Sequence, residues 1–125
     1  MNTQEAFHAM VQHLREQGMR SETGSSVCVY RHPEGLRCAI GAIIPDELYA
    51  EDFEGRTVDA LLRETPSLQA LLQNVDRKVL ADMQDIHDFT DPRYWEESFA
   101  ELAREARLSL PAWAGKQRQA DTRKT

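Results

Sequence analysis

The feature that most restricts the fold is residues 26–43, where two apolar runs flank a His-Pro-Glu-Gly turn at residues 32–35. Proline suits the second position of a type I turn, and glycine suits the left-handed residue that closes a three-residue hairpin loop. The pattern therefore predicts a β-hairpin with strands at residues 26–31 and 36–43. Because a lone hairpin is only marginally stable in water, helices must cover its apolar face.

The turn also sets the register of the two predicted strands. It pairs three sets of opposite residues: His32 with Leu36, Tyr30 with Cys38, and Cys28 with Ile40. One face of the predicted hairpin is then apolar, and we expect it to lie in the core beside aromatic residues of the last helix. The predicted core residues are Cys28, Tyr30, Cys38, Ile40, Trp95 and Phe99.

Apolar residues at helical spacing predict helices on both sides of the hairpin. The first helix has apolar residues at i, i+3, i+4 and i+7, which are Phe7, Met10, Val11 and Leu14. Further helices are predicted to begin near Pro45, Thr57, Pro66, Val79 and Asp91. We therefore expect an α+β fold, mainly α, with one β-hairpin packed against about five helices. Residues 1–115 are expected to form a single globular domain.

Charge is divided unevenly between this predicted domain and the last ten residues. The net charge is −6, and residues 116–125 hold four Lys or Arg side chains against one Asp, a sum of +3. Residues 1–115 therefore carry −9, which repels the phosphate backbone and disfavours nucleic-acid binding. The basic segment is expected to be a disordered tail, and nucleic-acid binding through it is the weaker alternative function.

The sequence also bears on the expected compartment. No stretch approaches the roughly 20 apolar residues that cross a bilayer, so we expect no membrane partner. The first residues, Met-Asn-Thr-Gln-Glu, lack the basic and apolar regions of a signal peptide. We therefore expect a cytoplasmic protein, in which cysteines are usually reduced thiols.

The two cysteines allow three kinds of chemistry. Zinc binds Cys and His side chains, and the predicted register puts Cys28, His32 and Cys38 on one face of the hairpin. A fourth metal ligand is available in three other histidines: His8, His13 and His87. A shift of the strand register would instead join the cysteines as a disulfide, and a histidine base could activate one as a nucleophile. Since neither CxxC nor HxxxH occurs, we expect free thiols in the core, with no cofactor and no catalytic residue.

The most distinctive polar stretch on a predicted helix is Gln-Asp-Ile-His-Asp at residues 84–88. Asp85 and Asp88 lie one helical turn apart, with His87 next to the second of them. Cation binding or acid–base chemistry would suit such a set, but a solvated helix face is the commoner arrangement. We expect Asp85, His87 and Asp88 to form a protein-interaction surface.

Two strings of the sequence resemble an uncharacterised family of small bacteriophage and prophage accessory proteins. They are Cys-Val-Tyr-Arg from position 28 and Gly-Leu-Arg-Cys-Ala-Ile-Gly-Ala-Ile-Ile-Pro-Asp-Glu-Leu-Tyr from position 35, and the resemblance continues in Met-Gln-Asp-Ile-His-Asp from position 83. The resemblance supplies no enzymatic activity and implies a context, that of a phage accessory protein expressed in a host bacterium. Together with the acidic body and the lack of a catalytic constellation, it favours an interaction protein that binds and modulates a host bacterial protein over an enzyme. We expect it to act as a monomer or small homo-oligomer. A metal- or thiol-dependent activity at the hairpin cysteines is the alternative function.

Overall fold

The computed structural model describes residues 1–113, and all regular secondary structure in that part of the chain is helical. The α-helices are α1 (Thr3–Gln17), α2 (Ala39–Ile43), α3 (Val58–Glu64), α4 (Pro66–Leu71), α5 (Arg77–Phe89) and α6 (Trp95–Ala106). Short 3₁₀ turns lie at Asp46–Leu48, Glu51–Phe53 and Pro92–Tyr94. None of the helices described is long and apolar enough to cross a membrane. The predicted tail at residues 116–125 lies outside the described residues.

The predicted β-hairpin, and with it the α+β fold class, is wrong. Residues 1–113 contain no strand, and antiparallel pairing is confined to two isolated bridges, Glu22 with Cys28 and Arg31 with Arg37. The predicted second strand is instead helix α2, so the expected pairing of Cys28 with Ile40 does not form. The described chain is an all-α structure.

Helix α2 forms where the sequence predicted a strand because it is capped and buried. Cys38 is its N-cap residue, and its Sγ accepts a hydrogen bond from the Gly41 amide at 3.3 Å. The run Ala-Ile-Gly-Ala-Ile is apolar on every side, and periodicity cannot distinguish a short buried helix from a buried strand. Gly41 lies so close to Tyr30 that a Cβ at this position would overlap the Tyr30 carbonyl oxygen. This close approach requires glycine inside the helix.

Two tight turns of the same geometry lie between α1 and α2. In the second turn, the His32 N–H donates to the carbonyl four residues ahead at 2.8 Å, and Gly35 has φ +98°. In the first turn, nine residues earlier, the Thr23 N–H donates to the Val27 carbonyl at 2.9 Å. Its left-handed residue is Ser26, at φ +64°, so the glycine of this turn, Gly24, does not lie at the left-handed position. The sequence therefore indicated only one of the two turns.

Residues from all six helices contribute to one hydrophobic core. Of the predicted core residues, those buried are Tyr30, Cys38, Ile40, Trp95 and Phe99, whereas Cys28 is half-buried. The second turn is fastened to the body through Glu54, whose carboxylate accepts the N–H groups of Tyr30 at 2.8 Å and Arg31 at 3.1 Å. Side-chain hydrogen bonds of this kind replace the strand ladder that was expected here.

Candidate functional site

The end of α5 meets the first turn at a cluster of Cys28, His87 and Asp88. Asp76 caps the start of α5, and the helical spacing then places Gln84, His87 and Asp88 together at i, i+3 and i+4. His87 is fully buried, while Cys28 and Asp88 are half-buried. The cluster therefore lies at the edge of the core, with one side open to solvent.

His87 is held in a single neutral tautomer. The backbone N–H of Ser21 donates to Nε2 of His87 at 2.9 Å, so Nε2 must carry a lone pair. The ring hydrogen is then on Nδ1, which donates to Oδ1 of Asp88 at 2.7 Å. The ring also stacks on Trp95, with 6.0 Å between ring centroids. Both ring nitrogens are therefore used for hydrogen bonds within the protein.

Asp88 accepts hydrogen bonds from two side chains, His87 at 2.7 Å and Gln84 at 3.3 Å. Sγ of Cys28 lies within 4.8 Å of the same carboxylate. Gln84 in turn accepts the backbone N–H of Ile40 at 3.1 Å. The network thus fastens both α2 and the segment after α1 to α5.

The thiol of Cys28 is not arranged as a nucleophile. Burial, followed by the nearby Asp88 carboxylate, raises the pKa of the Cys28 thiol to about 11. The Nδ1 hydrogen of His87 is directed at Asp88, so the imidazole is not in place to accept the thiol proton. Burial also raises the pKa of Cys38, to about 12. Both cysteines are free thiols, so the disulfide alternative does not form.

The structure changes the set of candidate metal ligands. Cys28 and His87 come together as the sequence allowed, but His32 and Cys38 belong to other contacts. His32 accepts the backbone N–H of Glu34 at 3.0 Å through Nδ1, and Cys38 caps α2. The third member of the cluster is Asp88, and the ligand atoms of Cys28, His87 and Asp88 lie within 4.8 Å of one another. The i, i+1 spacing of His87 and Asp88 was visible in the sequence, but their meeting with Cys28 was not.

The open side of the cluster faces a cleft of about 440 Å³. The residues around it include Tyr30, Val58, Ala81, Gln84, Asp85 and Phe89. Asp85 has no ion pair within 4 Å among the described residues, and partial burial, with Asp88 and Asp82 nearby, raises the pKa of its carboxyl group. Phe89 is 80% exposed. The cleft is therefore lined by carboxylates of α5, with the exposed aromatic ring of Phe89 beside them.

The residues of the predicted interaction surface differ in exposure. Asp85 is exposed and Asp88 half-buried, but His87 has no exposed surface and cannot contact a partner directly. Phe89, which the sequence analysis did not select, is a large exposed side chain next to them. The sequence did contain a signal that Phe89 is exposed. Phe89 lies seven residues after Asp82 and four after Asp85, so it shares the acidic face of the helix.

No known protein-family model, no curated protein and no solved structure matches this chain.

Proposed function

We propose that this protein acts by binding another protein through the cleft beside α5. The observation that carries the proposal is the exposure of Phe89 beside the carboxylates that line the cleft. Burying an exposed phenylalanine ring contributes about 2–3 kcal/mol, and aromatic side chains are frequent hot spots of protein interfaces. A partner that covers Phe89 would therefore gain most of its apolar contact energy there.

The charge of the cleft favours a cationic side chain of the partner. Asp85 and Asp88 lie on the same wall, and residues 1–115 carry a net charge of −9. Arg56 also lines the cleft, but it is paired with Asp52 at 3.7 Å and Glu64 at 3.1 Å. A Lys or Arg next to an apolar residue would place its cation near Asp85 and its neighbour on Phe89.

We propose a host bacterial protein as the partner, because the resemblance to phage accessory proteins suggests expression in a host bacterium. Binding, and not catalysis, is also supported by the raised pKa of the Cys28 thiol and by the His87 tautomer, in which neither imidazole nitrogen is free to accept the thiol proton. A thiol-dependent activity would need the opposite arrangement, with a base facing the sulfur. Nucleic acid is a poor partner for a cleft lined by three carboxylates, Asp59, Asp85 and Asp88.

A selection from a random peptide library tests this function. We expect the selected peptides to contain Lys or Arg beside an apolar residue. Their Kd should rise about tenfold or more in the Phe89→Ser and Asp85→Asn variants. Met19→Ser and Glu47→Gln are matched controls, because they alter an exposed apolar and an exposed acidic residue outside the cleft. Peptides that bind the cleft variants as tightly as the wild type would overturn the proposal.

A further inference from the structure

Two independent observations mark the Cys28–His87–Asp88 cluster as more than a structural contact. Its sulfur, nitrogen and oxygen atoms lie within 4.8 Å of one another. In addition, the hydroxyl of Ser21, beside His87, is fully buried and has no hydrogen-bond partner in the described part of the chain. Buried hydroxyls are nearly always paired, so an unpaired one calls for a physical reason.

We propose that Cys28, His87 and Asp88 bind a divalent metal ion of the zinc type. Thiolate, imidazole and carboxylate are the three side-chain ligands that zinc takes in proteins. Three protein ligands with an open side match the sites in which zinc keeps one position for water or for another molecule. Here the open side is the cleft, which both Cys28 and Asp88 line.

In the metal-free protein, two of the ligand atoms carry hydrogen. One is Nδ1 of His87, whose hydrogen is directed at Asp88, and the other is Sγ of Cys28. When the metal binds, the Cys28 proton leaves to solvent and the imidazole proton moves from Nδ1 to Nε2. The metal–sulfur and metal–nitrogen bonds form in their place, and one proton is released for each metal ion bound.

Ser21 couples this exchange to the segment after α1. Once Nε2 of His87 carries hydrogen, it can no longer accept the Ser21 N–H that it accepts now at 2.9 Å. The Ser21 hydroxyl is an acceptor on the same residue, and it is the buried group without a partner. Donation from Nε2 to this hydroxyl would hold the imidazole as a metal ligand, in the way that such ligands are usually held by their second nitrogen. The metal-bound form therefore gives the unpaired hydroxyl a partner, while the Ser21 N–H loses the acceptor that it has in the metal-free form.

The electrostatic surroundings of the cluster also favour a cation. Asp85 lies one helical turn before Asp88 and adds a negative charge there. Glu22, in the segment after α1, adds the negative charge of its carboxylate near the Cys28 thiol. Arg20, whose Nε donates to the His87 carbonyl at 3.0 Å, supplies one opposing positive charge against the carboxylates of Glu22, Asp85 and Asp88. A divalent cation would reduce the excess of negative charge at this end of α5.

Cobalt(II), which replaces zinc and reports thiolate ligation by its near-ultraviolet charge-transfer band, is the probe. We expect the reduced, full-length protein to bind one cobalt ion with this band, and zinc to displace it. Cys28→Ser should remove the band and weaken zinc binding by more than about tenfold. Cys38→Ser is the matched control, because it keeps an N-cap residue on α2 and lies outside the cluster, so it should retain the band.

A second variant, Asp88→Asn, alters another of the three proposed ligands and should also weaken zinc binding. Far-ultraviolet circular dichroism shows whether each variant is folded. Absence of the band in the folded wild-type protein would overturn the proposal, as would a band that survives Cys28→Ser. Ser21→Ala tests the tautomer exchange: zinc affinity should fall about tenfold, while metal-free stability should not decrease. Unchanged zinc affinity in Ser21→Ala would contradict that exchange. These measurements use no protein partner, so they are independent of the proposed function.

Discussion

Ser21 and His87 lie 66 positions apart in the sequence and share a buried hydrogen bond of 2.9 Å, from the Ser21 N–H to Nε2 of His87. This bond fixes the tautomer of His87, which in turn fixes the hydrogen bond to Asp88. It also ties the segment after α1 to α5 in a region without strands. The geometry of the candidate site therefore depends on it.

Replacing His87 with an apolar ring should destabilise the protein strongly. His87→Phe would keep most of the volume beside Trp95 but would leave the Ser21 N–H and the Asp88 carboxylate without this partner. We expect the free energy of unfolding to fall by about 2–4 kcal/mol, measured by urea denaturation. His8→Phe is the control at an exposed position and should change the free energy of unfolding by less than about 0.5 kcal/mol. Equal effects of the two substitutions would contradict the role of His87.

Adding one methyl group at Gly41 should destabilise the fold. A Cβ at Gly41 would overlap the backbone carbonyl of Tyr30, which cannot move aside as a flexible side chain would. Gly41→Ala should therefore cost about 1–3 kcal/mol in thermal or urea unfolding. Gly24→Ala is the matched control, since nothing lies within 4 Å of its Cβ position. A stable Gly41→Ala protein would show that α2 does not pack against Tyr30 in this way.

Relief of backbone strain in the first turn should stabilise the protein. Ser26 has φ +64°, which costs a residue with a Cβ about 1–2 kcal/mol relative to glycine. Replacing Ser26 with glycine removes this cost. Part of the resulting gain is lost because glycine has more conformational freedom in the unfolded chain, so we expect Ser26→Gly to raise the free energy of unfolding by about 0.5–1 kcal/mol. Gly35→Ala, at φ +98° in the second turn, should have the opposite sign. Melting temperatures of the two variants test whether the turns share one geometry.

The ion pair between Arg31 and Asp46 should contribute a pH-dependent part of the stability. The hydrogen bond and charge of Arg31, at 2.6 Å, hold the pKa of the Asp46 carboxyl below its usual range. A lowered folded-state pKa stabilises the protein above the unfolded-state value, and this contribution is lost as the pH falls through the folded-state value. Asp46→Asn should therefore lower Tm at neutral pH and have no effect in strong acid. Glu47 is the exposed neighbour and has no ion pair among the described residues. Glu47→Gln should therefore change Tm equally little at neutral pH and in strong acid.

The sequence predicted the amphipathic helices more accurately than the segment between α1 and α2. Phe7, Met10, Val11 and Leu14 all lie in the core, as their helical spacing predicted. The strand at residues 36–43 was wrong because an apolar run of this length fits a buried helix equally well. The first turn was missed because Ser26 occupies the position where glycine was the expected signal.

The candidate site was predicted only in part, for a related reason. Asp85, His87 and Asp88 stood out in the sequence, but burial of His87 depends on Ser21 and Trp95, which come from other elements. Cys28 was assigned to the core because its predicted strand pair was Ile40. In the structure it faces Asp88 instead, a long-range contact that local patterns do not contain.

The most direct test of protein binding through the cleft is photo-crosslinking from position 89. A photoreactive benzophenone amino acid would replace Phe89 in the full-length protein, expressed in bacterial cells, and the same group at Met19 would serve as the exposed control. We predict one discrete crosslinked bacterial protein from position 89, none from position 19, and loss of the crosslink on adding Asp85→Asn. No crosslink from position 89, or an equal one from position 19, would contradict the proposed function.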